Sequence, residues 1–202
     1  KWDNKFPSRR GPAHTIVDYM RLPKDQLEPI MVNSENIIHF GPNAYAKPAT
    51  GLNILRETIM GRELFDEAFK TYSKRWAFKH PEPADFFRTM NDASGENLDW
   101  FWRGWFIENY MLDQAITSVS YDINNNNAIV SIANLNQMAM PVILKYVTAA
   151  GVKGDIKLPV EIWNNTAVFK VKIPVKGKLK SVTLDPEKLF PDINYTNNKW
   201  SD

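Results

Sequence analysis

The chain has 202 residues, 44% hydrophobic and 24% charged, which suits one large or two modest globular domains with a sizeable core. A formal net charge of +2 gives no electrostatic basis for nucleic-acid binding, and no apolar run is long enough to read as a membrane span. There are no cysteines, which excludes disulfides and thiolate metal sites.

The opening KWDNKFPSRRGP is polar and rich in turn formers, and residues 1 to about 13 read as loop. It starts on Lys1 and has no signal-peptide pattern, so the chain is expected to be a piece of something longer. Thr15 to Leu22 predicts a short helix that Pro23 stops. Residues 26–40 are ambiguous: Leu27, Ile30 and Met31 suggest a helical turn, and Ile37, Ile38 and Phe40 an apolar edge. Gly41-Pro42-Asn43 reads as a loop that delivers Tyr45 to the mouth of a helix.

From Ala49 the helical period is clear, with Leu52, Leu55 and Ile59 on one face and Gly61 as the stop. A second helix carries Phe65, Ala68, Phe69, Tyr72 and Trp76 as a wide apolar stripe. His80-Pro81 breaks the chain, and Pro83 opens a third helix that buries Phe86, Phe87 and Met90 and ends at Ser94-Gly95. A fourth helix, with Asn97 as its expected N-cap, carries Leu98, Phe101, Trp102 and Trp105.

At about Asp113 the period changes from helical to alternating. Thr117, Val119, Tyr121 and Ile123 are expected on one face of a strand, and Asn124 to Asn127 in its turn. Strands follow at 128–132 and 142–147, then one alternating through Ile156, Leu158, Val160 and Ile162. Phe169, Val171 and Ile173 mark another, Val182 and Leu184 the last, and the tail after Asp185-Pro186 reads as loop. The expected fold is α+β, with a helical part at 1–112 followed by a β-sandwich at 113–202.

Candidates for chemistry are few. His14, His39 and His80 show no i, i+4 pairing and no His-Glu-x-x-His helix, so they read as solvent-facing or turn residues. Gly151-Val152-Lys153-Gly154 is a turn between strands rather than a phosphate loop. No Gly-x-Ser-x-Gly elbow is present, and neither Ser8 nor Ser94 has an obvious base. Trp76, Trp100, Trp102 and Trp105 offer stacking surface for a sugar or base, yet their helical spacing points them to the core. Lys170 and Lys172 alternate with Phe169 and Val171 and read as the wet face of a strand. By spacing alone Tyr45 is a packing residue.

Taken together, Tyr45-Ala46-Lys47-Pro48-Ala49, Met60-Gly61 with Phe65, Asp85-Phe86-Phe87, Asp92-Ala93-Ser94-Gly95 and the Leu98-to-Trp105 helix form an ordered set over about sixty residues. In order and spacing this set resembles the helical half of the catalytic region in the aminopeptidase N family, the gluzincin zinc aminopeptidases. Leu184-Asp185-Pro186, Pro191-Asp192-Ile193 and Asn197-Asn198 resemble the ending of a bacterial branch. Pro48 departs from the pattern, which has glycine after the lysine. The His-Glu-x-x-His motif and the downstream glutamate ligand are also absent.

The resemblance implies the C-terminal portion of a zinc-dependent enzyme that cleaves N-terminal peptide bonds and is inactive as this portion alone. Zinc is expected in the full-length enzyme and not on this chain. The expected partners are a peptide substrate and the missing N-terminal and catalytic halves of the same protein. Tyr45 becomes the catalytic residue by motif match, its hydroxyl donating a hydrogen bond to the oxyanion; Lys47 reads as structural. The bacterial likeness implies a periplasmic or cell-envelope location, with the cytoplasm left open. The missing zinc motif motivates an alternative, a non-catalytic adaptor or binding module related to the peptidases.

Overall fold

The structure is a computed structural model that describes residues 12–124 and 126–202. The expected opening loop, up to Gly11, lies outside the described residues, as do Ser8 and, in the asparagine turn, Asn125. The fold is α+β and divides into two compact units, the first ending at Asn109 and the second starting at Tyr110.

The first unit is helical. α1 (Val17–Met20) follows a 3₁₀ turn at Ala13–Ile16, and together they bury Ile16, Val17, Tyr19 and Met20. The ambiguous stretch up to Phe40 holds two further 3₁₀ turns, Lys24–Gln26 and Ser34–Asn36, and its expected apolar edge is largely exposed at Ile38 and Phe40. The next region differs from expectation. Pro42–Ala46 is a π-helical turn rather than a loop, so Tyr45 lies inside a helix and not ahead of one. This turn runs into α2 (Lys47–Ile54), which passes into a second π turn at Leu55–Ile59. Pro42 suits the first position of a helix because its ring presets φ and its missing N–H has no intrahelical partner there.

Gly61, with φ of 84°, sets the sharp change of direction that a side chain would resist. α3 (Arg62–Trp76) and α4 (Pro83–Ser94) follow. Arg56 and Asp66 clamp the Gly61 corner with two parallel hydrogen bonds of 2.6 and 2.8 Å, and Glu57 joins Arg56 to Arg62. The guanidinium of Arg56 holds the Asp66 carboxyl below the usual carboxylate range. α4 opens with a reciprocal capping box between Glu82 and Asp85, both on orphan N–H groups.

α5 (Asp99–Trp102) continues into a third π turn, Arg103–Ile107. Its N-cap is Leu98, while Asn97 accepts the Asp99 N–H one position ahead of the expected cap. Of the expected α3 stripe, Phe65 and Ala68 are buried, Tyr72 and Trp76 are half-buried and Phe69 is exposed. Phe87 stacks on Trp102 at 4.8 Å, Phe101 stacks on Trp105 at 6.0 Å, and Tyr72 meets Phe86 edge-on at 5.0 Å. Trp102 and Trp105 are buried, and Trp76 and Trp100 are half-buried.

Among its described residues the second unit holds seven strands in two antiparallel sheets. One has the order β1 (Gln114–Asp122), β2 (Asn127–Asn134), β5 (Val168–Pro174). The other has β4 (Lys153–Leu158), β3 (Val142–Thr148), β6 (Leu179–Leu184), β7 (Lys199–Ser201). Val130 and Ile132 from β2, Val142 and Leu144 from β3, Ile173 from β5 and Val182 from β6 belong to one apolar cluster shared by both sheets.

Three expectations are corrected here. The register slips between Ile116 and Ser118, so Thr117 is an extra residue; Ile116, Val119 and Tyr121 pack on the core while Ile123 stays exposed. The strand expected through Ile162 ends at Leu158, because Pro159 cannot donate to a ladder and starts a 3₁₀ turn instead. The tail is not loose. It ends in β7, and Phe190, Asp192 and Asn198 are buried.

Buried carboxylates organise that tail. Asp185 accepts the N–H groups of Leu189 and Phe190. Asp192 accepts those of Gln114 (2.9 Å) and Asn194 (2.8 Å) and the side-chain amide of Asn198 (3.2 Å). Burial pushes both carboxyls up from the usual range, and the donors pull the other way. An Asp192→Asn change places an amide donor among donors. Urea unfolding should report a loss of about 1–3 kcal/mol, and an unchanged midpoint would show that these bonds do not hold the tail.

Candidate functional site

The candidate site is the helical turn that carries Tyr45. The Lys47 N–H reaches the Pro42 carbonyl across five residues, the signature of the wider π turn. Tyr45 is 50% exposed, unlike the buried Phe101 and Trp102 of α5, and its ring meets the Phe40 ring edge-on at 5.6 Å. The expectation of a packing tyrosine from spacing alone is not what the structure shows.

Two anchors fix the backbone on either side of Tyr45. On the C-terminal side, the Trp105 indole N–H donates to the Lys47 carbonyl at 2.9 Å. This contact needs Gly51, because a Cβ there would lie 2.2 Å from Trp105 Nε1. On the N-terminal side stands Glu28, 6% exposed. Its Oε1 accepts the Ile38 N–H, and its Oε2 accepts the His39 N–H at 3.2 Å and the Asn43 side-chain amide at 3.5 Å. The same Asn43 amide also donates to the Pro29 carbonyl at 3.1 Å. The Tyr19 hydroxyl accepts the Glu28 N–H at 3.5 Å, and its ring meets His39 edge-on at 5.7 Å. Burial raises the Tyr19 phenol above its ordinary value.

Sequence reasoning missed Glu28 and Asn43. The signal was present: Glu28 is the one charged residue in the run Leu27 to Met31, and a carboxylate set among apolar residues needs donors.

Lys47 is 3% exposed, and burial lowers its amine from 10.5 to about 8. No carboxylate among the described residues forms an ion pair with it. His14 and His80 are exposed, and His39 is half-buried against Tyr19. The Ser94 hydroxyl donates to the Asn91 carbonyl and accepts the Glu96 N–H, which ties it to the turn. Lys170 and Lys172 lie on the exposed face of β5, beside buried Val171 and Ile173. Among the described residues no group of three His, Cys, Asp or Glu side chains fits a metal ion. No helix among them is long and apolar enough to cross a membrane. In the second unit a cavity of about 290 Å³ opens at the β1–β2 hairpin, lined by Tyr121, Ile123, Val175 and Lys178 among others. The Lys178 amine is already 3.8 Å from Asp202.

Two predictions concern the anchors. Gly51→Ala forces Trp105 to move, and overpacking of this kind costs about 1–3 kcal/mol; wild-type stability with an unshifted tryptophan emission would refute the close contact. For Lys47 the sign follows from its lowered pKa. Between about pH 8 and 10.5 the unfolded chain keeps a proton that the folded chain has released, so stability rises with pH across that window. Lys47→Met should therefore be the more stable form below pH 8, by up to about 3 kcal/mol, with the gap closing by pH 10.5. A gap that does not change with pH in urea titrations would rule out a buried ammonium.

Searches with known families and curated proteins give no match. Among solved structures, the chain is similar to the crystal structure of Legionella pneumophila aminopeptidase A in complex with aspartic acid, with a TM-score of 0.57 and 13% identity. The similarity covers 77% of this chain, more than either unit accounts for, and 18% of that one. The chain thus spans less than a fifth of that protein, and at this identity the likeness is one of fold alone.

Proposed function

We propose that this chain is the C-terminal portion of a zinc aminopeptidase of the aminopeptidase N family, in which Tyr45 donates a hydrogen bond to the oxyanion of peptide hydrolysis. The observation that carries this reading is the placement of Tyr45. It is a half-exposed phenol on a π turn, with the backbone pinned by a buried carboxylate ahead of it and a buried indole behind it. Turns of this kind recur at functional sites. The motif order from Tyr45 to Trp105 and the fold likeness to an aminopeptidase support the same reading.

Attack on a peptide carbonyl moves charge onto its oxygen. A donor held in place before the reaction stabilises that charge without reorganising, and removing one such donor costs about 10²–10³ in turnover. A free phenol ionises near pH 10, so a tyrosine ordinarily keeps its proton at neutral pH. Zinc, when bound, supplies the activated water and polarises the carbonyl. Among the described residues no group of three His, Cys, Asp or Glu side chains could hold that metal, and on this reading its ligands come from elsewhere in the full-length enzyme. The helical unit serves as a wall of the active-site cleft. We read the second unit as a β-sandwich, a reading supported by the apolar cluster common to its two sheets.

The test is Tyr45→Phe in the enzyme expressed from the whole reading frame, assayed with an aminoacyl-4-nitroanilide. Metal content should be unchanged and kcat should fall by about 10²–10³. Turnover within about threefold of wild type would remove Tyr45 from the mechanism.

A further inference from the structure

We infer that Glu28 is a positioning residue for Tyr45, acting by fixing the start of the helical turn that presents the phenol. The inference rests on the proposed role of Tyr45.

Three observations carry it. First, Glu28 is a buried carboxylate whose hydrogen-bond donors among the described residues come from one short stretch, Ile38, His39 and Asn43. An ionised group in that position is tolerated only because those donors satisfy it, so the carboxylate and the stretch fix each other. Second, the stretch is the entry to the helix that contains Tyr45. Gly41, the N-cap of the π turn, has no side-chain capping bond of its own, so Glu28 supplies negative charge where the helix begins. Third, Asn43 stands on the π turn itself, two residues ahead of Tyr45, and its amide bridges Glu28 Oε2 and the Pro29 carbonyl. The turn is thereby laced to the 28–29 segment, while Trp105 holds Lys47 from the other side. Glu28 works through the backbone that leads into the turn.

Positioning matters because a misplacement of about 1 Å at a reacting group can cost about 10²-fold in rate. Glu28→Gln keeps the volume but turns one acceptor oxygen into a donor facing N–H groups. In the enzyme expressed from the whole reading frame, with an aminoacyl-4-nitroanilide as the probe, kcat should fall about 10–100-fold with KM within about twofold. Hydrogen exchange should quicken at residues 38–46 and stay unchanged in α3 and α4. The deciding measurement is the double variant. If Glu28 acts through Tyr45, adding Glu28→Gln to Tyr45→Phe costs no further turnover.

A further loss in the double variant equal to that in the single one would overturn the inference, as would wild-type kcat in Glu28→Gln. Should Glu28→Gln fail to fold, Asn43→Ala removes one donor and leaves the two backbone bonds; the same cycle with Tyr45→Phe then decides in the same way. The underlying reading fails separately. If Tyr45→Phe alone keeps wild-type turnover, the mechanism falls; if it loses turnover while the cycle is additive, only the role of Glu28 falls.

Discussion

The first unit depends on an indole lying against a glycine. Trp105 is wholly buried and occupies the space a side chain at residue 51 would fill, and its N–H ends on the carbonyl of Lys47. A large aromatic contributes its greatest stabilisation when its polar handle is also satisfied, and here one residue meets both conditions. The consequence reaches outward in two directions. Trp105 stacks on Phe101, which leads through Trp102 and Phe87 to α4 and through Phe86 to α3. It also holds the junction where a π turn becomes α2, two residues after Tyr45. Core packing and the presentation of the phenol are thus one set of contacts.

The second unit is held by a different balance. Its interior is largely aliphatic, with residues from β2, β3, β5 and β6 in one cluster, and its buried carboxylates Asp185 and Asp192 lie in the tail. There Asp185 and Asp192 collect backbone N–H groups that no strand pairs, which lets an irregular segment be buried. The carboxylates do for the tail what ladder bonds do for the strands.

Much of this was legible in the sequence. The stripe from Phe65 to Trp76, the proline at the start of α4, the stop at Gly95 and the alternation of Val171 and Ile173 with Lys170 and Lys172 all follow from period and punctuation. The errors have physical causes. A π turn has no distinctive composition, so Gly41-Pro42-Asn43 reads as loop although Pro42 merely begins the helix. A bulge is invisible to a strict period of two, which is why Thr117 was expected on the face that Ile116 in fact fills, while Ile123 lies past the end of β1, in the turn. For the candidate site, Tyr45 was found by motif likeness and not by periodicity, and Glu28 was not found at all. Its donors lie ten to fifteen positions along the chain, in a stretch with no regular repeat, and such pairing is decided only when the chain is folded.

The three π turns among the described residues share a geometric property. Each accommodates one residue more than an α-helix of the same rise, and one residue is about 100° of rotation around a helix axis. Side chains before and after such a turn therefore point in directions that a regular helix would not allow. Within Pro42–Ala46, Asn43 is buried and Tyr45, two positions later, meets solvent. Within Arg103–Ile107, Trp105 and Phe106, adjacent in sequence, are both buried. Removing a single residue from one of these turns would restore ordinary helical winding and leave the composition almost untouched. It would also turn every side chain upstream by nearly a third of a circle relative to those downstream. In such a chain, length within a helix is itself a determinant of which side chain reaches solvent.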